Sequence, residues 1–323
     1  MQETLNHEQV TICGRRMDKL SVCENGETAA YCIIDTQSGA NVIEFFALGN
    51  RIIGHDPEWL ANGEYTGCPV LYPTPNRIKD GIVNYLGRDY TQHKNGKTIT
   101  SHGFVHDEPF SLDFARANED GSVLARMSLL LDESNEIYES FPFVNRLTLD
   151  FILSRDSLRI NYTVENLSKN PFGFGFALHP YFYFDEEDGK IFIPSKLMVE
   201  SDENLMPTGR FIPTESKFPG IADGTPLKGF VSDGYFIRDG NKNAHLELYK
   251  SKIRLDLTAT DELRHIVVYR PAGHNFVCIE NQTNSPDFHN MHAAGHVEEA
   301  NVLTAEPGVP TGGSILISVS KLA

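Results

Sequence analysis

Apolar and polar residues alternate along this chain with a period of two rather than 3.6. Leu147, Leu149, Phe151 and Leu153 alternate with Arg146, Thr148 and Asp150. After a polar turn at 154–157 the alternation resumes with Leu158, Ile160, Tyr162 and Val164. Successive side chains of a strand point to opposite faces, so this pattern predicts a hairpin with one face buried. The same pattern recurs at 123–131, 246–257 and 315–319, and at 31–34 and 42–46 around a turn at 37–40. A short helix is expected at 56–62, and no longer one is supported. Short alternating strands, frequent turn residues and 17 prolines predict an all-β fold, a large antiparallel β-sandwich.

Linker-like tracts, repeats and low-complexity runs are missing, so a single domain over residues 1–323 is expected. The stretch 206–228, rich in Pro, Gly and Thr, reads as an ordered loop laid over one face.

Composition narrows the function classes. The chain is 40% hydrophobic and 10% aromatic, enough for a sizeable core. Its formal net charge of -16, with 44 acidic residues against 28 basic, argues against nucleic acid or an anionic membrane as partner. A neutral or weakly charged small molecule fits better. The five cysteines, at 13, 23, 32, 68 and 278, form no CxxC pair and are odd in number. With an N-terminal stretch that lacks an apolar signal region, they lead us to expect a reduced, cytoplasmic setting. No run of 18 apolar residues is present, so no membrane span is expected. The sequons at Asn161, Asn166 and Asn281 are expected to be plain surface asparagines.

Four places hold residues able to do chemistry. Asn76-Arg77, in the proline-stiffened turn Tyr72-Pro73-Thr74-Pro75, could present a fork of donors to hydroxyls or a carboxylate. On local pattern alone an ordinary surface loop with a salt-bridged arginine is the plainer explanation. His102 precedes Gly103, which would permit close backbone approach to a ligand. His102 and His106 have the i, i+4 spacing of a helical metal pair, but Gly103 and Pro109 disfavour a helix. The alternative is a hydrogen-bonded structural histidine. His179 lies within the aromatic stretch 172–184, expected as strand, where burial would lower its pKa and a neighbouring carboxylate would raise it. Glu280 closes the apolar run Phe276-Val277-Cys278-Ile279 ahead of a polar turn, a setting that suits a general base with a raised pKa. A water-facing glutamate on an edge strand is the plainer explanation. His289, His292 and His296 fall in an Asn/Gly/Ala-rich segment expected to be a solvated loop rather than a metal site. No GxGxxG, P-loop or GxSxG pattern occurs, which removes support for nucleotide binding and serine-nucleophile chemistry.

In order along the chain, PNRIKDG, SHGF, ALHPYF, SDGYF and CIENQTNSPD resemble the aldose 1-epimerase (galactose mutarotase) family. SGANVIEF and LTAEPGVP near the two ends resemble it as well. The resemblance implies a large antiparallel β-sandwich with a sugar held in a cleft on one sheet. It implies Glu280 as general base, His179 as general acid and His102 as a second imidazole at the ring oxygen. Asn76, Arg77 and Asp233 would hold sugar hydroxyls. Neither cofactor nor metal is implied, and the partner would be a small-molecule monosaccharide, bound by a monomer or homodimer. The chain departs from the galactose-specific pattern after His102, where Gly-Phe-Val-His-Asp-Glu replaces a longer glycine-rich stretch. It departs again before His179, where Phe-Ala-Leu replaces Leu-Thr-Asn. The sugar therefore stays open, and His106 and Asp107 become candidate extra contacts.

Other classes remain. A hexose-phosphate mutarotase would need a basic cluster, for which Arg77, Lys79 and Arg88 are candidates. A non-catalytic sugar sensor could keep the cleft without needing both His179 and Glu280. A glycoside hydrolase or lyase would call for two facing carboxylates, of which the motifs supply Glu280 alone.

Overall fold

The computed structural model describes residues 6–85, 87–184, 189–240 and 242–322. The alternating run at 147–164 folds as the predicted hairpin, Asn145–Ser154 paired with Ser157–Asn166. Its register sets Leu147 opposite Val164 and Leu149 opposite Tyr162, with all four side chains buried. The run at 123–131 is a strand with the same limits, and it pairs with Asn145–Ser154. The run at 246–257 is two strands, Ala244–Leu248 and Ile253–Ala259, because a turn interrupts it.

Among the described residues the chain forms a 13-stranded sheet, a 9-stranded sheet and small two-stranded additions. The larger sheet runs from Asn6–Ile12 through the meander Arg15–Glu24, Glu27–Asp35, Asn41–Ala47 and Asn50–Ile53. It continues through Tyr181–Tyr183, Phe276–Gln282, His265–Arg270, Ser232–Ile237 and Leu197–Ser201 to the edge strand Pro207–Pro213. The smaller sheet centres on Ser157–Asn166, Thr311–Lys321 and Ile253–Ala259. One face of each sheet feeds a common buried cluster. Leu147, Phe151 and Ile317 come to it from the smaller sheet, and Phe182, Ile266, Val268, Val277 and Ile279 from the larger. This is the all-β sandwich that the period of two predicts.

The opposite face of the larger sheet is also covered in places. Tyr181, Phe276 and Cys278 form one separate buried cluster there, and Val199, Tyr235 and Val267 another. A strand buried on both faces has positions on its second face that shield polar side chains from water.

The structure corrects several expectations. The stretch 206–228 is not all loop, since Pro207–Pro213 pairs with Leu197–Ser201 as an edge strand. Its prolines stand at the two strand ends, where a missing N–H disturbs the ladder least. The expected helix is present as Pro57–Asn62, with the Asp56 side chain accepting from the Glu58 and Trp59 amides and Gly63 closing it in the left-handed region. Phe288–Ala293 is helical where a loop was expected. Asn166 and Asn281 are buried, not surface residues. No helix of the described residues is long and apolar enough to cross a membrane.

Candidate active site

The site is assembled on the outer face of the larger sheet. In Phe276–Gln282, Val277 and Ile279 enter the sandwich core, so alternation turns Phe276, Cys278 and Glu280 the other way. Register then brings the neighbours into place. Glu280 stands opposite Val267, Cys278 opposite both Tyr181 and Tyr269, and Tyr269 opposite Asp233. Glu280 therefore does not end an edge strand facing water. It lies inside a central strand and is 1% exposed.

His179 is not within a continuous strand. It occupies the break between Ala177–Leu178 and Tyr181–Tyr183, next to Pro180. Its amide donates to the Pro69 carbonyl at 3.0 Å, which anchors the break against the segment before Tyr72.

Two loops complete the walls, and backbone hydrogen bonds zip them together. The Phe104 amide donates to the Tyr72 carbonyl, His102 to Asn76, and Ile78 to Thr100, at 2.9, 2.9 and 2.7 Å. Asn76 and His102 both have positive φ, 65° and 67°, a conformation that non-glycine residues rarely hold unless their surroundings impose it. Gly103 does permit a close approach, but of the Tyr72 carbonyl rather than of a ligand. A Cβ there would collide with that oxygen, and φ is +71°. Gly175 similarly leaves room for Pro75 and the Asn284 side chain.

These elements enclose a cleft of about 250 Å³ lined by Asn76, Arg77, His102, His179, Asp233 and Glu280. All six residues singled out in the sequence thus meet in one place. Nε2 of His179 is 3.3 Å from Oε1 of Glu280. Arg77 Nη2 donates to Asp233 Oδ2 at 2.9 Å on the same cleft. The His102 and His179 rings meet edge to face with centroids 5.7 Å apart.

Burial governs the charges here. It pushes the Glu280 carboxyl well above its ordinary pKa, assisted by the Asp233 charge and opposed by Arg77. It pulls His179 down to about 4 and holds His102 well below its ordinary value. Asp233 is raised by burial and lowered by Arg77 and Tyr235. With the imidazole disfavoured as a cation and the carboxyl disfavoured as an anion, the His179–Glu280 pair holds one proton between its two shifted values. Glu280 Oε2 and His102 Nδ1 are buried without a hydrogen-bond partner among the described residues, atoms that a bound hydroxyl could satisfy. The arrangement offers a proton donor and a proton acceptor side by side, next to a guanidinium–carboxylate fork.

Tyr65, Tyr181, Val267 and Tyr269 also line the cleft, and no local pattern singles them out as site residues. Tyr65 sits in Gly-Glu-Tyr-Thr-Gly, where no periodicity marks it. Its ring nonetheless faces His102, His106 and His179, and its hydroxyl lies 3.2 Å from His106 Nδ1. Val267 and Tyr269 are legible only through strand register. His106 stands one layer behind the cleft, against Tyr65, and Asp107 is ion-paired to Lys94 outside it.

The histidines at 289, 292 and 296 do not converge. His289 is buried against Phe288, His292 is exposed, and the His296 ring packs over Gly209 on the edge strand. The expected solvated loop is thus a helix with one buried imidazole. Among the described residues no group of three or more His, Cys, Asp or Glu side chains is disposed to hold a metal.

A family model described as aldose 1-epimerase matches residues 25–316. A galactose mutarotase-like protein from Clostridium acetobutylicum is 18% identical with a TM-score of 0.85, the match covering 100% of both chains. The galactose 1-epimerase from Lactobacillus acidophilus is 13% identical with a TM-score of 0.77, again over 100% of both. An aldose epimerase homologue from C. elegans is 15% identical with a TM-score of 0.70, covering 99% of this chain and 100% of its own. At such identities the common property is the fold.

Proposed function

Because the chain belongs to the aldose 1-epimerase family, we propose that it interconverts the α and β anomers of a free aldose by acid–base ring opening and closure. The observation that carries this reading is the buried contact of His179 with Glu280, 3.3 Å between Nε2 and Oε1.

In this mechanism Glu280 takes the proton of the anomeric hydroxyl while His179, as imidazolium, protonates the ring oxygen. The C1–O5 bond breaks, the aldehyde rotates, and the ring recloses from the other face with the two roles reversed. Burial alone would leave the pair's single proton on Glu280. Moving it to His179 leaves the proton count unchanged, and the short contact offers a direct route. The Arg77 charge favours the ionised carboxylate. A hydroxyl donating to Glu280 as the sugar enters favours it further. His102, kept neutral, acts as a second imidazole at the ring oxygen. Asn76, Arg77 and Asp233 hold hydroxyls away from the reacting carbon, and the tyrosine rings give the sugar's C–H surfaces an apolar wall. A positioned acid and base each contribute roughly 100- to 10,000-fold.

The test is the anomer interconversion rate, followed by polarimetry or exchange NMR, for a panel of free aldoses and their 6-phosphates. Acceleration of a free aldose that is lost in both Glu280→Gln and His179→Asn supports the reading. Binding of sugars without any acceleration would sink it in favour of a sensor. Activity surviving in both variants would sink the acid–base assignment.

A further inference from the structure

Tyr65 stands between two spaces. In front of it is the cleft of about 250 Å³ that holds His102, His179 and Glu280. Behind it is a hollow of about 20 Å³, lined by Arg15, Ser38, Asn41, Glu64 and His106 as well as by Tyr65 itself. The ring is the partition. It meets the His102 ring edge to face with centroids 5.1 Å apart and lies roughly parallel to the His179 ring at 6.5 Å. It also packs on the His106 ring at 4.7 Å. The first two imidazoles serve the ring oxygen in the proposed mechanism, and the third does not reach the cleft.

The partition is fixed from behind. The Tyr65 hydroxyl lies 3.2 Å from His106 Nδ1. Burial lowers the His106 pKa against the opposing pull of Asp107, so the neutral imidazole accepts and the hydroxyl donates. His106 belongs to the short turn Val105–Asp107, which is tied down on two sides. On one side the buried Lys94 donates through Nζ to the Phe104 carbonyl at 2.7 Å and pairs with Asp107 and with Glu108 Oε1, the latter at 2.6 Å. On the other the Gly39 amide donates to the Glu108 carbonyl at 2.8 Å. Gly39 also approaches so closely that a Cβ there would collide with the His106 carbonyl oxygen. Lys94, Asp107 and Glu108, the charged groups around His106, thus bind one another and the turn.

We propose that Tyr65 is a positioning residue for the reaction: its ring, braced by His106, aligns the His102 and His179 imidazoles with the sugar's ring oxygen and bars water from reaching them from behind. The inference rests on the mutarotase reading of the cleft. Two physical reasons support it. A proton passes efficiently only when its donor and acceptor stand within about 2.6–3.2 Å, and a misplacement of about 1 Å costs up to roughly 100-fold. A ring packed against two imidazoles restricts the rotation of both. The hollow, moreover, has room for roughly one water, which needs about 10–15 Å³. Without the ring the hollow would join the cleft, and water beside an imidazole stabilises its cation. The charges of His179, His106 and Arg77 already oppose a proton on His102. His179 faces Glu280, Tyr181 and Tyr269 besides Tyr65. With the partition closed, His102 stays neutral and the transferable proton stays on the His179–Glu280 pair.

The test uses the full chain and two variants, Tyr65→Leu, which removes the ring, and Tyr65→Phe, which keeps it and removes the hydroxyl. Exchange NMR gives kcat, KM and the acid limb of kcat for the fastest aldose, and an NMR titration follows the imidazoles without sugar. Tyr65→Leu should lower kcat about tenfold with KM changed by less than about twofold. Its acid limb should rise from about 4 toward the ordinary histidine value of roughly 6.5. Tyr65→Phe should keep the parent's acid limb and lose about threefold in kcat, the share of one hydrogen bond. An acid limb that Tyr65→Leu leaves in place overturns the inference, as does a loss confined to KM, which would make Tyr65 a plain wall for the sugar. Should Tyr65→Leu fail to fold, Tyr65→Phe decides, and parental kcat there overturns the brace. If the parent anomerises no aldose, the mutarotase reading fails, and the sugar-free titration still judges the partition. A His102 pKa raised in Tyr65→Leu upholds it, and an unmoved one overturns it.

Discussion

Nε2 of His179 and Oε1 of Glu280 are 3.3 Å apart, with both side chains nearly closed off from water. Their shifts oppose each other, His179 down to about 4 and Glu280 well up, so the pair carries one proton between those two limits. Below about pH 4 it gains a second proton and loses its base. Above the raised Glu280 value it loses its last proton and with it the acid. The pH profile of kcat is therefore expected to show a plateau that begins above about pH 4, with an acid limb there and an alkaline limb at the raised Glu280 value. A single limb near pH 6.5, the ordinary histidine value of roughly that size, would contradict the pairing.

Glu280→Gln should lower kcat by roughly 100- to 10,000-fold with a much smaller change in KM, since its interaction matters most in the transition state. The same variant bears on stability. A carboxyl whose folded pKa is raised contributes stability fully below its unfolded value, roughly 4.3, and loses it as pH rises through the folded value. Glutamine does not titrate. The Tm of the variant minus that of the parent should therefore grow from pH 5 to pH 9, and a constant difference would contradict the assigned direction.

Arg77→Ala removes the guanidinium that lowers both Asp233 and Glu280. KM should rise by about tenfold as a hydroxyl contact is lost. The alkaline limb of kcat should move to higher pH, because Glu280 then ionises with less help. Arg77→Lys keeps the charge and should leave that limb near its parent position, though KM stays high because the planar fork is gone.

Gly103→Ala should destabilise the protein by roughly 1–3 kcal/mol and lower kcat, since relieving the clash with Tyr72 displaces His102 next to it. Gly96→Ala is the control. It has a similar φ of +69° but open space around it, so it should cost only about 1 kcal/mol and leave kcat alone. Thermal melts and steady-state kinetics on the two variants separate collision from backbone preference.

Much of the fold and the chemistry is legible along the chain because both follow local rules. Alternation at 145–166 is enough to predict the hairpin and its buried side, since a strand has a fixed period of two. Asp56, Pro57 and Gly63 mark the ends of the short helix because capping needs those residue types in that order. The histidine, glutamate, arginine and asparagine of the cleft stand out as polar residues in apolar or proline-stiffened surroundings.

What the chain alone leaves undecided is whatever depends on distant segments meeting. Pro207–Pro213 has a loop's composition and becomes a strand because Leu197–Ser201 offers it an edge. Phe288–Ala293 carries a single apolar pair at helical spacing, Phe288 and Met291, too little to mark a helix along the chain, yet it is helical with both buried beside Ala300. Tyr65 joins the site only because its loop folds against His102 and His106, and Tyr269 only because register sets it opposite Asp233 and Cys278. By itself the sequence determined the all-β alternation, its buried face and the kinds of chemical group available. The tertiary structure decided that Glu280 lies in a central strand, and burial there opposes its charge where an edge would have solvated it. It also decided that His179 sits within reach of that carboxyl, because proximity between residues a hundred positions apart is a property of sheet register and not of local pattern.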